Sequence, residues 1–285
     1  MLKQRLITAL IGLPIVLIPF VFDQRWLLIP FFCLCVALAT FEMSRMLLPR
    51  LEAIFTTGRV DSGRSDNEAP WLTAFAIAVG LFIFIGAATD PHIGGRGVIT
   101  AGFLSVILVG SFMARNNEVA FGRIVGLLLS VVYGTLPWLA IWEIYLLGLK
   151  SGYIILLMCI VWGGDTGAYF GGRQFGRVKL APRMSPKKTV EGALCGILGS
   201  VVLGCLANLI WGLSLGTWST ILLTSLVGGV FGQAGDLVES TFKRFAQVKD
   251  SGNIFPGHGG FLDRVDGLLF AAPVIWFILY VMPTS

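Results

Sequence analysis

Nine apolar runs, at roughly 6–22, 26–41, 71–89, 97–114, 121–142, 153–170, 190–212, 218–238 and 265–283, take up most of this chain of 285 residues. Each is close to the length that an α-helix needs to cross a hydrocarbon core of about 30 Å. Backbone inside lipid has no water to bond, so such runs must satisfy their own amides, and helices do this within one segment. The composition agrees: 55% of residues are hydrophobic, 13% are charged and mean hydropathy is +0.82, outside the range of soluble globular domains. The sequence predicts an all-α, polytopic membrane protein with about nine transmembrane helices.

The first run follows Lys3 and Arg5, as in a secretory leader, but Pro14 and Pro19 lie inside it and no small-residue cleavage pattern follows. It is read as a retained helix. Only Asp23, Gln24 and Arg25 separate it from the second run, so these two are read as full crossings, with a re-entrant pair as the alternative. With the N-terminus in the cytoplasm, the loops near 42–70, 114–123, 171–189 and 239–264 face inward, and eighteen of the 21 Lys and Arg residues fall on that side. Arg25, Arg96 and Lys150 are the exceptions. The net charge of +5 therefore follows from topology, and no basic soluble domain suggests a nucleic-acid partner. Cys33, Cys35, Cys159, Cys195 and Cys205 all lie in apolar runs without CxxC spacing and read as small buried hydrophobes.

Chemistry is unevenly distributed. Residues 1–150 read as structural transmembrane helices with a part in dimerisation, and the polar, Gly- and Ser-containing stretch 56–70 reads as a cytoplasmic loop. Residues 151–285 carry polar groups at the cytoplasmic ends of their helices and read as the catalytic region. Asp165 sits inside an apolar run, in VWGGDTGAYFGG, where an ionisable residue costs roughly 2.5–3.5 kcal/mol on insertion scales and marks a functional interior. A helix-packing contact or a snorkelling carboxylate is the plainer alternative. The glycines around it permit close approach of a helix or a ligand. Neither a P-loop nor a dinucleotide fingerprint occurs.

The stretch 173–188 holds Arg173, Arg177, Lys179, Arg183, Lys187 and Lys188 and no acid. It reads either as a flank attracted to anionic headgroups or as a phosphate-binding lid, with SPKKT at 185–189 as its one defined element. Further on, GDLVESTFKRFAQVKDSGNIFPGHGGFLDRVD at 235–266 gathers Asp236, Glu239, Lys243, Arg244, Lys249, Asp250, His258, Asp263, Arg264 and Asp266. Asp263 and Asp266, spaced i, i+3, share a face if the last helix has begun by Phe261. Acids in a first turn also simply suit the helix dipole. Asp236, Asp263 and Asp266 at one membrane depth would repel, which implies a cation; oxygen ligands without clustered His or Cys favour Mg²⁺ over zinc. Carboxylates with metal beside a basic stretch suit phosphoryl or nucleotidyl transfer. His258 reads as a general acid, a phosphate contact or a turn residue, and the backbone of Gly259 and Gly260 offers an anion cradle.

Ser240 to Arg244, Lys249 to Gly252, Pro256 to Gly260 and Asp263 to Asp266, with their spacing, resemble the signature of the phosphatidate cytidylyltransferase (CDP-diacylglycerol synthase) family. WGGDTGAY at 162–169 and SPKKTVEG at 185–192 resemble that family as well. The resemblance implies an enzyme of the bacterial inner membrane that condenses CTP with phosphatidate to CDP-diacylglycerol and pyrophosphate, using Mg²⁺, as an all-helical homodimer. It implies metal-associated carboxylates at Asp236, Asp263 and Asp266. Lys243, Arg244, Lys249, Arg264 and His258 join them as catalytic residues, and Lys188, Ser185, Asp165, Gly259 and Gly260 as ligand-binding ones. An ion-coupled transporter or an inactive homologue is the competing reading.

Overall fold

The structure, a computed structural model, describes residues 18–20, 22, 24–57, 70–90, 93–114, 116–147, 151–210, 216–255 and 259–282. The elements in order are α1 (Arg25–Thr57), α2 (Pro70–Thr89), α3 (Ile93–Phe112), α4 (Asn117–Leu146), α5 (Ser151–Phe175), β1 (Lys179–Ala181), β2 (Ser185–Thr189), α6 (Val190–Ile210), α7 (Trp218–Phe245) and α8 (Leu262–Val281). Among the described residues, 7 helices are long and apolar enough to cross a membrane: α1, α2 and α4 to α8. The apolar part of α3, Arg96–Phe112, is shorter. The expectation of nine crossings thus meets seven here, since the run 6–22 lies almost wholly outside the described residues. The run 26–41 continues unbroken to Thr57 in α1, as a full crossing requires and a re-entrant pair does not.

Local chemistry sets several helix ends. The side chain of Asn116 accepts the Val119 N–H at 2.8 Å to open α4, and Thr189 Oγ1 accepts the Gly192 N–H at 3.2 Å to open α6. At the far end of α7, Gln247 turns left-handed with φ 58°, and Val248 N–H and Gln247 N–H reach back to the carbonyls of Lys243 (2.9 Å) and Arg244 (3.1 Å). This pair of bonds is a Schellman motif, which satisfies carbonyls that a helix otherwise leaves open.

The chain divides into two compact units that interleave in sequence. The first gathers 24–139 with 242–263. Its core is Leu48, Leu72, Ala76, Val79, Ile83, Val106, Leu127 and Val131, against which Phe75, Ile99 and Phe103 pack. Phe32 stacks on Phe84 at 5.8 Å and meets the edge of Trp138 at 6.2 Å, and Trp138 stacks on Phe261 at 5.8 Å. Polar ties reinforce the packing: Arg123 pairs with Glu52 at 2.5 Å, and Arg50 Nε donates to the Phe245 carbonyl at 3.2 Å, placing a cation at a helix C-terminus.

The second unit gathers 140–241 with 264 onward. Here α5 lies directly on α6. A Cβ at Gly163 would stand 2.7 Å from the Gly199 carbonyl oxygen, and one at Gly167 would stand 2.5 Å from that of Cys195, so only glycine permits this approach. Ser200 Oγ donates to the Ile160 carbonyl at 2.7 Å, and Gln233 Nε2 joins α7 to α6 through the Ala193 carbonyl at 3.0 Å. The opposite face of α6 exposes Leu194, Leu198, Val202, Leu206 and Leu209, the surface expected against lipid. Basic residues 179–189 form an antiparallel hairpin, in register Lys179 with Thr189 and Ala181 with Ser185, a departure from the all-α expectation.

Candidate active site

The second unit brings together a carboxylate cluster from three helices and one strand. Asp165 comes from α5, Asp236 from α7, Asp266 from the second turn of α8, and Lys188 from β2. Lys188 Nζ stands 2.6 Å from Asp236 Oδ2, with the two side chains 25% and 38% exposed. Asp236 Oδ1 also receives a long bond from Ser240 Oγ at 3.4 Å, one helical turn on. The Asp266 carboxylate lies within electrostatic reach of Asp236 and Asp165 and beside Glu239, which is fully buried. Asp165 feels both Asp236 and Lys188. Gly235 makes the α7–α8 approach possible, since a Cβ there would stand 2.5 Å from the Asp266 carbonyl oxygen.

The hairpin that carries Lys188 is held on both sides. The Glu191 carboxylate accepts the N–H groups of Arg177 at 3.0 Å and Val178 at 3.2 Å, fixing the entry to β1. At the turn, Thr241 Oγ1 lies 2.8 Å from the Met184 sulfur, which seats the hairpin tip on α7. The SPKKT segment, read from the sequence as a defined element, is the strand β2. Ser185 is half-buried at the start of β2, whereas Arg183 and Lys187 are exposed.

A second constellation belongs to the first unit and centres on Asp263. Lys243 Nζ lies 2.7 Å from Asp263 Oδ1, and both side chains are largely buried, at 13% and 8% exposed. Asp263 Oδ2 accepts the Gly260 N–H at 2.8 Å, the Ser251 N–H at 2.9 Å and the Ser251 hydroxyl at 3.1 Å. Gly259 holds φ 84°, and a Cβ there would stand 2.6 Å from Asp263 Oδ2, so the glycine is required twice over. Arg244, Lys249 and Arg264 are exposed. His258 lies outside the described residues.

Among the described residues, no three Asp, Glu, His or Cys side chains stand close enough to enclose a metal ion unaided. The donors of the second unit nevertheless fit a hard cation. Asp165, Asp236 and Asp266 are all oxygen donors, and their mutual repulsion is met by one ammonium, that of Lys188. Asp263, by contrast, has each oxygen engaged by protein donors, and Oδ1 is the one for which a metal would compete with Lys243.

The sequence pattern of the cytidylyltransferase family matches residues 3–282. The chain belongs to the cytidylyltransferase family. Over 176 residues it is 41% identical to a phosphatidate cytidylyltransferase of Staphylococcus epidermidis, covering 62% of this chain and 66% of that protein. It is 49% identical over 127 residues to the phosphatidate cytidylyltransferase of Bacillus subtilis, covering 45% and 47%. That of Staphylococcus haemolyticus is 38% identical over 179 residues, covering 63% and 68%. The chain thus spans about two thirds or less of the length of these curated relatives.

Three carboxylates have structural roles that a reading of the motifs does not assign. Glu239 abuts Asp266, Glu191 fixes the hairpin, and Glu42, 2% exposed, binds the loop that holds Asp263. Glu239 was legible as a member of the charged stretch 235–266, and Glu42 had a readable signal as an acid at the end of an apolar run in FEMSRM. For a member of the cytidylyltransferase family, that places a polar anchor in the half of the chain that reads as purely structural.

Proposed function

We propose that this protein transfers the cytidylyl group of CTP to phosphatidate, forming CDP-diacylglycerol and pyrophosphate at the cytoplasmic face of a bacterial inner membrane. Family membership supports the reaction type, and the names of the relatives supply the lipid acceptor. The observation that carries the reading is the cluster of Asp165, Asp236 and Asp266 around the Lys188–Asp236 pair at 2.6 Å: hard anions carried on helices long and apolar enough to cross a membrane, and a cation from the hairpin strand.

In this reaction a phosphatidate phosphate oxygen attacks the α-phosphorus of CTP. The new P–O bond forms as the α–β anhydride bond breaks, and pyrophosphate leaves with its electron pair. The nucleophile is already an anion at neutral pH, so no strong base is required. Catalysis then rests on positioning and on charge arranged in advance. Asp236 and Asp266, with Asp165 beside them, would hold Mg²⁺, which when bound polarises phosphate oxygens and offsets their charge. Lys188, seated by the hairpin, exchanges its bond to Asp236 for one to a substrate phosphate. Lys243, Arg244, Lys249 and Arg264 add positive charge, Asp263 holds Lys243 and the Gly260 amide in place, so that Gly260 orders the loop and is not itself a donor to substrate, and His258 and Gly259 contribute donors to an anion. We also infer a homodimer, with the N-terminus cytoplasmic.

The deciding experiment follows label from radioactive CTP into lipid, using purified protein in detergent with and without phosphatidate and Mg²⁺. Incorporation that needs both, with one pyrophosphate released per lipid labelled, is the expected result. A folded, membrane-inserted sample that labels no lipid acceptor would overturn the reading in favour of an inactive homologue or a transporter.

A further inference from the structure

Glu42 lies on α1, far in sequence from every residue to which chemistry is assigned, and its side chain is 2% exposed. A carboxylate removed from water must find donors, or the chain bears a penalty of several kcal/mol. The donors here come from a single place. Glu42 Oε1 accepts the Phe261 N–H at 2.8 Å, Oε2 accepts the Leu262 N–H at 2.9 Å, and Ser251 Oγ donates to Oε2 at 2.8 Å. Two of these are N–H groups at the start of α8, where a helix leaves its first amides unpaired and its dipole favours an anion. A residue more than two hundred positions earlier therefore does what a local N-cap does elsewhere.

The bonds do not end at the helix start. Ser251 Oγ also lies 3.1 Å from Asp263 Oδ2 and receives the Asp263 N–H at 3.4 Å, while Asp263 Oδ1 holds Lys243 at 2.7 Å. The single hydroxyl proton of Ser251 thus sits between the carboxylates of Glu42 and Asp263. Two glycines leave room for Glu42: a Cβ on Gly252 or on Gly260 would run into its carboxylate. These glycines carry no positive φ within the left-handed region, so space, and not backbone conformation, is what glycine supplies at these two positions.

We propose that Glu42 is a positioning residue for cytidylyl transfer, fixing the Ser251–Asp263–Lys243 arrangement from α1 without touching substrate. The proposal rests on the reaction assigned above, because that reaction is what the arrangement serves. A purely structural role for Glu42 would show as lost folded protein with normal turnover in what remains. A positioning role shows in turnover itself, since small displacements of charged groups are expensive at a transition state and cheap in substrate binding.

The test compares wild type, Glu42→Gln, Glu42→Asp and Ser251→Ala in mixed micelles, reading kcat and KM for CTP per folded enzyme. Hydrogen exchange of the peptides spanning 250–263 is followed in the same samples. Glu42→Gln keeps the shape but presents an N–H₂ where an acceptor is needed; kcat should fall on the order of 10²-fold with KM for CTP within about threefold, and exchange over 250–263 should rise. Glu42→Asp keeps the charge and should recover part of kcat. If Glu42→Gln does not fold, Ser251→Ala cuts the same link from the loop side and should lower kcat in the same way. Wild-type kcat in the folded Gln variant, or in Ser251→Ala when the Gln variant is lost, overturns the proposal, as does unchanged exchange over 250–263. Wild-type protein that transfers no label to phosphatidate would sink the assigned reaction instead, while the exchange comparison would still report on the Glu42 link.

Discussion

Asp236 and Asp263 are the same residue type within one motif region, 235–266, yet their surroundings differ. Asp236 is partly exposed and holds one cation, Lys188, at 2.6 Å; Asp263 is 8% exposed and its oxygens are engaged by Lys243 and three donors from Ser251 and Gly260. The first is placed to change partners during a reaction and the second to keep them. Asp236→Asn should therefore lower kcat on the order of 10²–10³-fold while leaving expression and membrane insertion intact, measured by label transfer from CTP. A wild-type rate in that variant would remove Asp236 from the site. Lys188→Ala removes a cation from the phosphate side and should raise KM for CTP about tenfold, the loss of roughly 1.4 kcal/mol of binding. Unchanged constants for both substrates would return the basic hairpin to a topological role.

At the scale of elements, the close contact of α5 with α6 and the hairpin that follows are what hold Asp165 and Lys188 in place. The glycines of WGGDTGAY are used for helix packing: Gly163 and Gly167 meet the carbonyl oxygens of Gly199 and Cys195, and a ligand cradle is not their evident use. Gly167→Leu should separate the helices and sharply reduce the yield of monodisperse protein in detergent, whereas Leu198→Ala, on the exposed face, should change stability by no more than about 0.5 kcal/mol. Equal yields from the two variants, judged by size-exclusion profile and thermal melt, would contradict that account of the packing. At the start of α6, Thr189→Val removes the hydroxyl that accepts the Gly192 N–H at 3.2 Å and should cost about 1 kcal/mol. A thermal midpoint indistinguishable from wild type would show that this cap contributes nothing.

For the whole molecule, the orientation proposed from the distribution of its cations has a direct test. A single cysteine placed at Arg183, in a background without the native cysteines, should react with an impermeant maleimide only in inside-out vesicles. Labelling from the outer face would reverse the topology and with it the assigned face of the reaction. Chelation with EDTA should abolish label transfer, and Mg²⁺ should restore it without refolding, as expected when a cation completes a site that the protein's oxygens leave partly open. Activity that survives chelation would leave the carboxylate cluster without the role assigned to it.

How much of this was readable in the chain varies with the distance over which each feature is decided. Hydropathy alone determines that the protein is built of membrane-crossing helices, because a backbone in lipid has almost no other way to satisfy its amides. The motif region at 235–266 and the acid Asp165 could be picked out because charge in an apolar chain is costly and so marks itself. Partners could not be picked out in the same way. That Lys188 meets Asp236, that Lys243 meets Asp263, and that Glu42 on α1 closes the start of α8 are consequences of which helices pack together. The hairpin at 179–189 was hidden for a related reason: its strands are short and basic, and Glu191 and Thr241, which hold it, are recognisable only once the chain has folded. Local sequence fixes what a segment must bury; which carboxylate finds which donor depends on contacts between separate segments, from 20 positions apart for Lys243 and Asp263 to 220 for Glu42 and Leu262, and those only the tertiary structure decides.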